Sequence, residues 1–177
     1  MPYPKVGRIT DSEVSELISR QSGWAVYVDS LNTILSPQIV AEGATATLTN
    51  NSNLVIDSQM PIDAISPLWD SVTSKFIPIK LNDYYTWIVR FKAKNTAPVG
   101  GYINVGIDIG GTFNTIFVES HAFLKGADVE QDFNIKMEGY SGATFMLNNG
   151  LPKITSSNGV TSIYEKEFHV RRDHKGR

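Results

Sequence analysis

Residues 83–95, DYYTWIVRFKAKN, decide the fold because their side chains alternate between two faces. Apolar side chains recur at every second residue, which is the period of a β-strand. They are Tyr85, Trp87, Val89, Phe91 and Ala93. The positions between them are mostly polar or basic, although Ile88 is a large aliphatic residue on that second face. The stretch therefore predicts a strand that packs one face on a core and turns the other towards water or a partner.

The same alternation resumes after a turn rich in Pro and Gly at residues 96–101. In residues 102–110 the odd-numbered positions are all apolar, and the even-numbered ones are Tyr, Asn, Gly or Asp. Two half-buried strands joined by a short turn predict a β-hairpin formed by residues 83–95 and 102–110.

Short alternating runs, separated by Asn, Gly, Pro, Ser and Asp, extend from Trp24 to Arg172. They include residues 24–29, 44–49, 112–119, 133–138, 143–147 and 160–172. About ten short strands at this spacing predict an all-β fold, an antiparallel jelly-roll sandwich.

One short helix is predicted near the N terminus, outside the sandwich. Thr10 and Glu13 have the spacing of a capping box, and Val14, Leu17 and Ile18 form an apolar stripe at helical spacing. These signals predict a helix over residues 11–20. The expected organisation is a basic arm and short helix at residues 1–22, a jelly-roll domain at 23–172 and a basic C-terminal tail at 173–177.

The composition excludes several classes of protein. At 177 residues the chain has the usual size of one domain with a single core. Because it has no cysteine, it has no disulfide framework, no thiolate metal site and no cysteine nucleophile. No early apolar block follows a basic start, and no run approaches the length of a membrane-spanning helix. We therefore expect neither a secretion signal nor a membrane partner.

Charge is distributed unevenly between the ends and the body of the chain. Residues 1–8 hold two basic and no acidic side chains, and residues 171–177 hold four basic and one acidic side chain. The body, residues 9–170, carries 10 basic and 17 acidic side chains. An acidic body argues against a nucleic-acid-binding face, whereas basic ends are suited to an acidic neighbour.

The segment from Asp108 through Gly110, Gly111 and Thr112 resembles the phosphate loop of sugar kinases with the actin-like fold. In those enzymes the loop lies near the start of a much larger α/β chain, whereas here it follows a long stretch of strand and turn sequence. We interpret these glycines as a turn or bulge in a hairpin.

The carboxylates leave two alternative functions open, calcium binding and the cleavage of carbohydrates. Asp128, Glu130 and Asp132 could bind calcium if an extended backbone aims them one way, although a solvated acidic loop is favoured because no further oxygen ligand is identifiable. A carbohydrate-acting enzyme would need two facing carboxylates, such as Glu119 and Glu138. The histidines lack metal spacing and no serine lies in a nucleophile elbow. We therefore expect no enzyme, no metal and no cofactor.

Two tyrosines lie on the second faces of their strands. Tyr84 shares a face with Ile88, and Tyr102 lies among the even-numbered positions of residues 102–110. Large aromatic side chains on a face turned away from the core predict burial by another subunit.

Five segments carry a resemblance to a known family. They are GWAVYVDS at residues 23–30, AEGA at 41–44, LWDSVTSKFIP at 68–78, YTWIVRFKA at 85–93 and the last strand at 160–172. In this order they resemble the tumour necrosis factor-like jelly roll found in virion proteins of tailed bacteriophages. The resemblance covers about residues 23–172, and the Leu-Trp-Asp run followed by Lys and Ile-Pro is its most specific motif.

That family implies a homotrimer in which sandwich edges meet along a threefold axis and aromatic residues fill the centre. The candidates for this interface are Tyr84, Tyr102, Tyr164 and Phe168. The family implies no enzymatic activity. Its phage members are capsid decoration, or cement, proteins, or else knobs at the tips of fibres.

We expect a structural virion protein on the capsid surface, a homotrimeric decoration protein whose partners are itself and the major capsid protein. A fibre protein usually carries a long N-terminal shaft, and only a short segment precedes the first strand here. Three copies of a weak terminal contact would give the trimer avidity. The predicted contacts are Pro2, Tyr3, Pro4, Lys5 and Arg8 in the arm, and Arg171, Arg172, Lys175 and Arg177 in the tail. The alternative is a receptor- or glycan-binding knob of a head or tail fibre, which an exposed Trp69 or Tyr140 would favour.

Overall fold

The computed structural model describes residues 10, 21–111 and 114–176, so the helix predicted at residues 11–20 lies outside the described residues. Within them the chain forms twelve β-strands and one short helix. The strands are β1 (Gly23–Val28), β2 (Gln38–Val40), β3 (Thr45–Thr47), β4 (Leu54–Ile56), β5 (Trp69–Asp70), β6 (Lys75–Phe76), β7 (Tyr84–Asn95), β8 (Tyr102–Asp108), β9 (Thr115–Ala122), β10 (Gln131–Tyr140), β11 (Leu151–Ser157) and β12 (Thr161–His174), and the helix is α1 (Ala143–Asn148). No helix in this part of the chain is long and apolar enough to span a membrane.

The strands form two main antiparallel sheets. The six-stranded sheet has the order β10, β7, β12, β1, β4, and β2 pairs with the start of β12. The four-stranded sheet has the order β3, β11, β8, β9, and β5 pairs with β6 in a separate hairpin. Strands distant in sequence are neighbours in both main sheets, such as β1 with β12 and β3 with β11. The predicted all-β, antiparallel jelly-roll sandwich is therefore confirmed.

The strand predicted at residues 83–95 is confirmed, since β7 spans Tyr84–Asn95. Each of its five predicted core residues is at most 3% exposed. Trp87 stacks on Tyr85 with ring centroids 5.5 Å apart, and Phe91 stacks on Phe133 of β10 at 5.3 Å. Burial of these side chains between the two sheets is the main source of stability of the sandwich.

The prediction of a hairpin between residues 83–95 and 102–110 is wrong. β7 pairs with β10 and β12 in the six-stranded sheet, whereas β8 pairs with β9 and β11 in the four-stranded sheet. The turn at residues 96–101 carries the chain from one sheet to the other. Alternation reports which side of a strand is buried, but it does not report which strand lies beside it.

Residues 143–147, predicted among the short strands, form the helix α1 instead. Met146 N donates to the carbonyl oxygen of Gly142, and the helix ends at Asn149, whose φ of 61° is left-handed. Phe145 is the only side chain of α1 that is buried, and its ring centroid lies 5.4 Å from that of Trp87. A stretch this short contains too few residues to distinguish the helical period from the strand period.

Candidate interface on the six-stranded sheet

The outer face of the six-stranded sheet carries a groove of about 470 Å³. Strand register forms one row across it, in which Ile88 pairs with His169, His169 with Val26, and Val26 with Ile56. This row joins four strands, so side chains distant in sequence line one surface. The remaining apolar lining residues are Trp24, Val28 and Leu54.

β4 forms the open edge of this groove, because among the described strands it pairs only with β1. All three of its side chains are exposed: Leu54 is 53%, Val55 40% and Ile56 43% accessible. Trp24 on β1 is 38% accessible. An edge strand of three consecutive exposed aliphatic residues beside an apolar groove is suited to burial against another protein chain.

Charged side chains run through the middle of the groove, because β12 lies between β7 and β1 and its Glu167, His169 and Arg171 line the groove. Arg90 Nη1 lies 3.3 Å from Glu167 Oε1, and His169 Nε2 contacts the same carboxylate oxygen. Arg171 Nε lies 2.6 Å from Asp173 Oδ1. The groove therefore has apolar walls on β1, β4 and β7 and a strip of charged side chains along β12, and such a mixture of apolar and polar surface occurs in protein–protein interfaces.

The structure does not bring the two predicted interface tyrosines together. Tyr84 lies on β7 in the six-stranded sheet and is half-buried, with its ring centroid 4.7 Å from that of Tyr140. Tyr102 lies on β8 in the four-stranded sheet and is 42% exposed. Of the two, only Tyr84 belongs to the sheet that carries the groove.

The other two predicted interface residues are covered by their own chain. Phe168 is fully buried in the core, and its ring packs edge-on against Trp69 with centroids 4.8 Å apart. Tyr164 is 1% exposed and its hydroxyl donates to Glu130 Oε2 at 2.6 Å. Neither side chain needs a second subunit to be shielded from water.

The two aromatic residues that would favour a glycan-binding knob differ in exposure. Trp69 is only 2% exposed, and its indole N–H donates to the carbonyl oxygen of Asn50, so it does not present a ring to a ligand. Tyr140 is 63% exposed at the end of β10.

Arg172, a predicted capsid contact in the tail, is fully buried. Its Nε donates to the carbonyl oxygen of Gln21 at 2.7 Å, its Nη1 lies 3.2 Å from Asp83 Oδ2, and its Nη2 contacts Asp63 Oδ1. The prediction that Arg172 contacts a capsid is therefore wrong, because its guanidinium is enclosed and paired within the chain.

The rest of the described tail is also held by the domain. Lys175 Nζ lies 2.9 Å from Asp63 Oδ2, and Gly176 N donates to Asp83 Oδ1 at 2.7 Å. Arg171 is 54% exposed, pairs with Asp173 and lines the groove. The predicted contacts outside the described residues are Pro2, Tyr3, Pro4, Lys5, Arg8 and Arg177.

Asp63 makes the stability of the fold sensitive to acid. Burial acts to raise its pKa, but hydrogen bonds from Arg172 and Lys175 outweigh burial and lower the pKa of Asp63 to about 2, from an ordinary 3.8. A carboxyl group with a lowered folded pKa stabilises the fold above its unfolded pKa, and this contribution is lost as pH falls towards the folded value.

We expect Asp63→Asn to be less stable than wild type at pH 7 and to lose less unfolding free energy between about pH 4 and pH 2.

Denaturant titrations at each pH measure this effect. Asp57→Asn, at an exposed carboxylate of the same segment, is the control and should keep the wild-type pH profile. A profile for Asp63→Asn that runs parallel to wild type would show that Asp63 does not carry the acid sensitivity.

The carboxylates considered for metal binding or catalysis do not form such a site among the described residues. Asp128 has a left-handed φ of 58°, so the backbone is not extended there, and Glu130 is engaged by Tyr164 and Lys92. No group of three potential metal ligands occurs in the described part of the chain. Glu119 and Glu138 lie on strands of different sheets, where Glu138 contacts Lys136.

The glycines that resemble a kinase loop form the turn between β8 and β9. Gly110 and Gly111 have left-handed φ values of 70° and 65°, and Gly110 N donates to Asp108 Oδ1 at 2.8 Å. β8 and β9 are paired, with a register shift between Val105 and Ile107. The interpretation of Gly110 and Gly111 as part of a hairpin turn is confirmed, and the bulge lies elsewhere, between Val105 and Ile107.

Comparison with known proteins identifies the fold. No family model matches the chain, and no curated protein matches it. The structure of Eiger TNF from S. frugiperda superposes with a TM-score of 0.50 at 9% identity, covering 88% of this chain and 96% of that one. This likeness shows a TNF-like jelly roll, as the sequence predicts, and nothing beyond the fold.

Two viral structures are more distant. The PRD1 vertex protein P5 gives a TM-score of 0.45 at 9% identity, covering 86% of this chain and 73% of that one. The naturally occurring empty particle of cowpea mosaic virus gives a TM-score of 0.26 at 8% identity, covering 89% and 83%. At these scores neither likeness adds to the argument.

Proposed function

We propose that this chain is a homotrimeric structural protein of a virion, which binds the capsid surface and stabilises it as a decoration, or cement, protein. The apolar outer face of the six-stranded sheet is the observation that supports it, because such a face is buried only when another chain covers it. The resemblance of residues 23–172 to virion proteins of tailed phages supports the capsid as the place of assembly. The partners are therefore copies of the chain itself and the major capsid protein.

Such a trimer would act as a clamp. Three terminal arms held on one rigid body bind with an avidity that a single arm lacks. Because the trimer binds the assembled capsid and not its separate subunits, mass action stabilises the shell.

Within this proposal the N-terminal arm carries more of the capsid contact than the tail. Arg172 is buried and Lys175 is paired with Asp63, so Arg171 is the exposed cation among the described tail residues. The arm residues proposed to contact the capsid are Pro2, Tyr3, Pro4, Lys5 and Arg8.

Ile56→Asp is expected to convert trimers into monomers without unfolding the chain. Ile56 is 43% exposed in a single chain, so the new carboxylate stays hydrated in the monomer but would be buried unpaired in the trimer. Light scattering of the purified protein measures the mass. Leu147→Asp is the matched control, because Leu147 is an 83% exposed aliphatic residue that does not line the groove.

Co-sedimentation with capsids of the same virus completes this experiment. Wild type and Leu147→Asp should pellet with capsids in many copies, whereas Ile56→Asp should stay in the supernatant. Deletion of residues 1–8 should weaken capsid binding while the trimer persists. A monomeric wild type, or trimers that ignore capsids, would refute the proposed function.

A receptor- or glycan-binding knob is the second candidate, favoured by one observation. Tyr140 is 63% exposed with its ring against Tyr84, which leaves an aromatic face of the kind that binds sugars. A handful of copies per virion and glycan binding that Tyr140→Ala abolishes would support the knob, whereas hundreds of copies support decoration.

A further inference from the structure

A lysine, an aspartate and an asparagine meet inside the domain, where the loop after β1 lies against β12. Lys166 on β12 is fully buried, and its side chain and that of Asp29 are both 0% exposed. Lys166 Nζ lies 3.2 Å from Asp29 Oδ2 and donates a hydrogen bond to Asn32 Oδ1. A buried amine is therefore held against a carboxylate and against the side-chain amide of a residue 134 positions away in the sequence.

The backbone holds these three residues in place. β12 shifts its register against β7 in the segment that contains Glu165, whose φ of 52° is left-handed. Asp29 N donates to the carbonyl oxygen of Lys166 at 2.9 Å, and Glu165 N donates to the carbonyl oxygen of Asn32 at 3.1 Å. Bulges and strained backbone conformations are common beside reactive sites, because they change the direction in which a side chain points.

The carboxylate of Asp29 is fixed at both of its oxygen atoms. Oδ1 accepts hydrogen bonds from Leu31 N at 3.2 Å and Asn51 N at 3.1 Å. Oδ2, the oxygen that faces Lys166, also accepts from Asn32 N at 3.2 Å. A carboxylate fixed beside an ammonium group can accept its proton, and give one to a leaving group, without first rotating.

The environment of Lys166 favours its reaction as a nucleophile. Burial lowers the pKa of Lys166, although the charge of Asp29 acts in the opposite direction. A lysine amine is nucleophilic only when it is neutral, and a lowered pKa raises the neutral fraction. Because Oδ1 of Asn32 is bonded to Cγ, the contact with Oδ1 places Nζ beside the amide carbon. Enclosure also keeps out water, which would compete for that carbon.

We propose that Lys166 and Asn32 react to form an isopeptide bond within the chain, with Asp29 transferring the protons. Asp29 takes one proton from the Lys166 ammonium, and the lone pair of the neutral amine forms a bond from Nζ to Cγ of Asn32. Asp29 gives this proton to Nδ2, so the bond from Cγ to Nδ2 breaks and ammonia leaves. Asp29 then takes the second proton from Nζ and passes it to the released ammonia. One ammonium ion is released in total, Asp29 ends as a carboxylate, and no oxidant, reductant or cofactor takes part.

A second amide lies within reach of the same amine. Lys166 Nζ also donates to Gln38 Oε1 at 3.1 Å. Gln38 Nε2, the nitrogen that would have to leave, donates to the carbonyl oxygen of Thr47 on β3 at 2.5 Å. Asn32, in contrast, is joined to Asp29 through its own backbone N–H. The proton-transferring carboxylate is therefore paired with Asn32, which we assign as the partner of Lys166.

The bond would connect the loop after β1 to β12, which lies between β1 and β7 in the six-stranded sheet. A covalent link between positions so distant in sequence restricts the unfolded chain, as a disulfide that closes a long loop does. The ion pair of Lys166 with Asp29 is the arrangement of these groups before the bond forms. Because the bond lies within one chain, this inference is independent of the trimer and of the capsid contact.

The mass of the denatured full-length chain tests the bond directly. We expect the wild type to be lighter than its sequence by about 17 Da, the mass of one ammonia molecule. Lys166→Met, Asn32→Ala and Asp29→Ala should each have the full mass of their sequences. Asn51→Ala is the matched control and should keep the deficit, because the side chain of Asn51 pairs with Ser30 in the same region.

Two further measurements locate the bond and record its effect. Trypsin cleaves after free lysine, so the wild type should stay uncut after Lys166, and tandem mass spectrometry should find a branched peptide that contains Asn32 and Lys166. Asn32→Ala keeps the ion pair of Lys166 with Asp29 but cannot form the bond. It should therefore unfold roughly 10 °C or more below Asn51→Ala in a thermal scan.

The outcomes separate this inference from its alternatives and from the proposed function. A wild type of full mass overturns the inference, whether or not the variants fold. A deficit that persists in Lys166→Met comes from an asparagine that cyclises on its own backbone, and one that persists in Asn32→Ala comes from another amide such as Gln38. Either result overturns the inference. A monomeric wild type that shows the deficit would refute the proposed function and leave the isopeptide bond standing.

Discussion

Arg172→Met is expected to lower the free energy of unfolding by about 3–5 kcal/mol, because it removes a fully buried cation from its two carboxylate partners. Asp83 is also fully buried, and without Arg172 its carboxylate would keep a charge with no compensating cation beside it. The carbonyl oxygen of Gln21 would lose its donor as well. Equilibrium denaturation followed by tryptophan fluorescence measures the loss.

Arg171→Met is the matched control, one residue earlier on the same strand. Its side chain is 54% exposed beside Asp173, so we expect a change of about 0–1 kcal/mol. Equal losses for the two variants would mean that burial of Arg172 does not decide its contribution. If both variants lose little free energy of unfolding, the ion pairs of Arg172 with Asp63 and Asp83 contribute little to stability.

Lys166→Met is expected to cost a similar amount, about 3–5 kcal/mol, since Lys166 and Asp29 are both fully enclosed at their side chains. The variant would leave the Asp29 carboxylate buried without its cation, although its hydrogen bonds from the backbone N–H groups of Leu31, Asn32 and Asn51 would remain. The same denaturation experiment measures the loss. Lys136→Met is the control, because Lys136 is 55% exposed beside Glu138 and should cost about 0–1 kcal/mol.

A Lys166→Met variant as stable as Lys136→Met would show that the buried ion pair of Lys166 with Asp29 contributes little to the free energy of unfolding.

The period of two in residues 83–95 was sufficient to predict the strand, its buried face and the β class. It could not predict the neighbours of β7, because pairing with β10 and β12 is decided by packing across the whole chain. The helix α1 was missed for a related reason, since only Phe145 of its six residues faces the core and no apolar stripe develops.

The buried cations could have been predicted in part. Lys166 and Arg172 have the same parity as Phe168 and Val170 on β12, so alternation alone indicates that they point inward. Because lysine and arginine side chains are mostly exposed in proteins, their basic character predicts a surface position instead. The deciding information is the position of Asp29, Asp63 and Asp83, which are far away in sequence and reach these cations only in the folded sandwich.

The groove had a weak signal in the sequence. Ile88 is aliphatic on the polar face of β7, and β1 has apolar residues on both of its faces, from Trp24 to Val28. Such two-sided strands indicate burial on both sides. Only the strand order places Ile88, Val26 and Ile56 in one row, so the surface emerges from the topology.

The central position of β12 has a consequence for synthesis of the protein on the ribosome. β12 lies between β7 and β1 in the sheet, yet it is translated after both of them, and Gly23 pairs with Arg172. Until it emerges, β1 and β7 have open hydrogen-bonding edges and exposed apolar faces. Nascent chains with such long-range pairing fold slowly and are prone to aggregate, so we expect β1 and β7 to be open to misassociation until β12 has emerged.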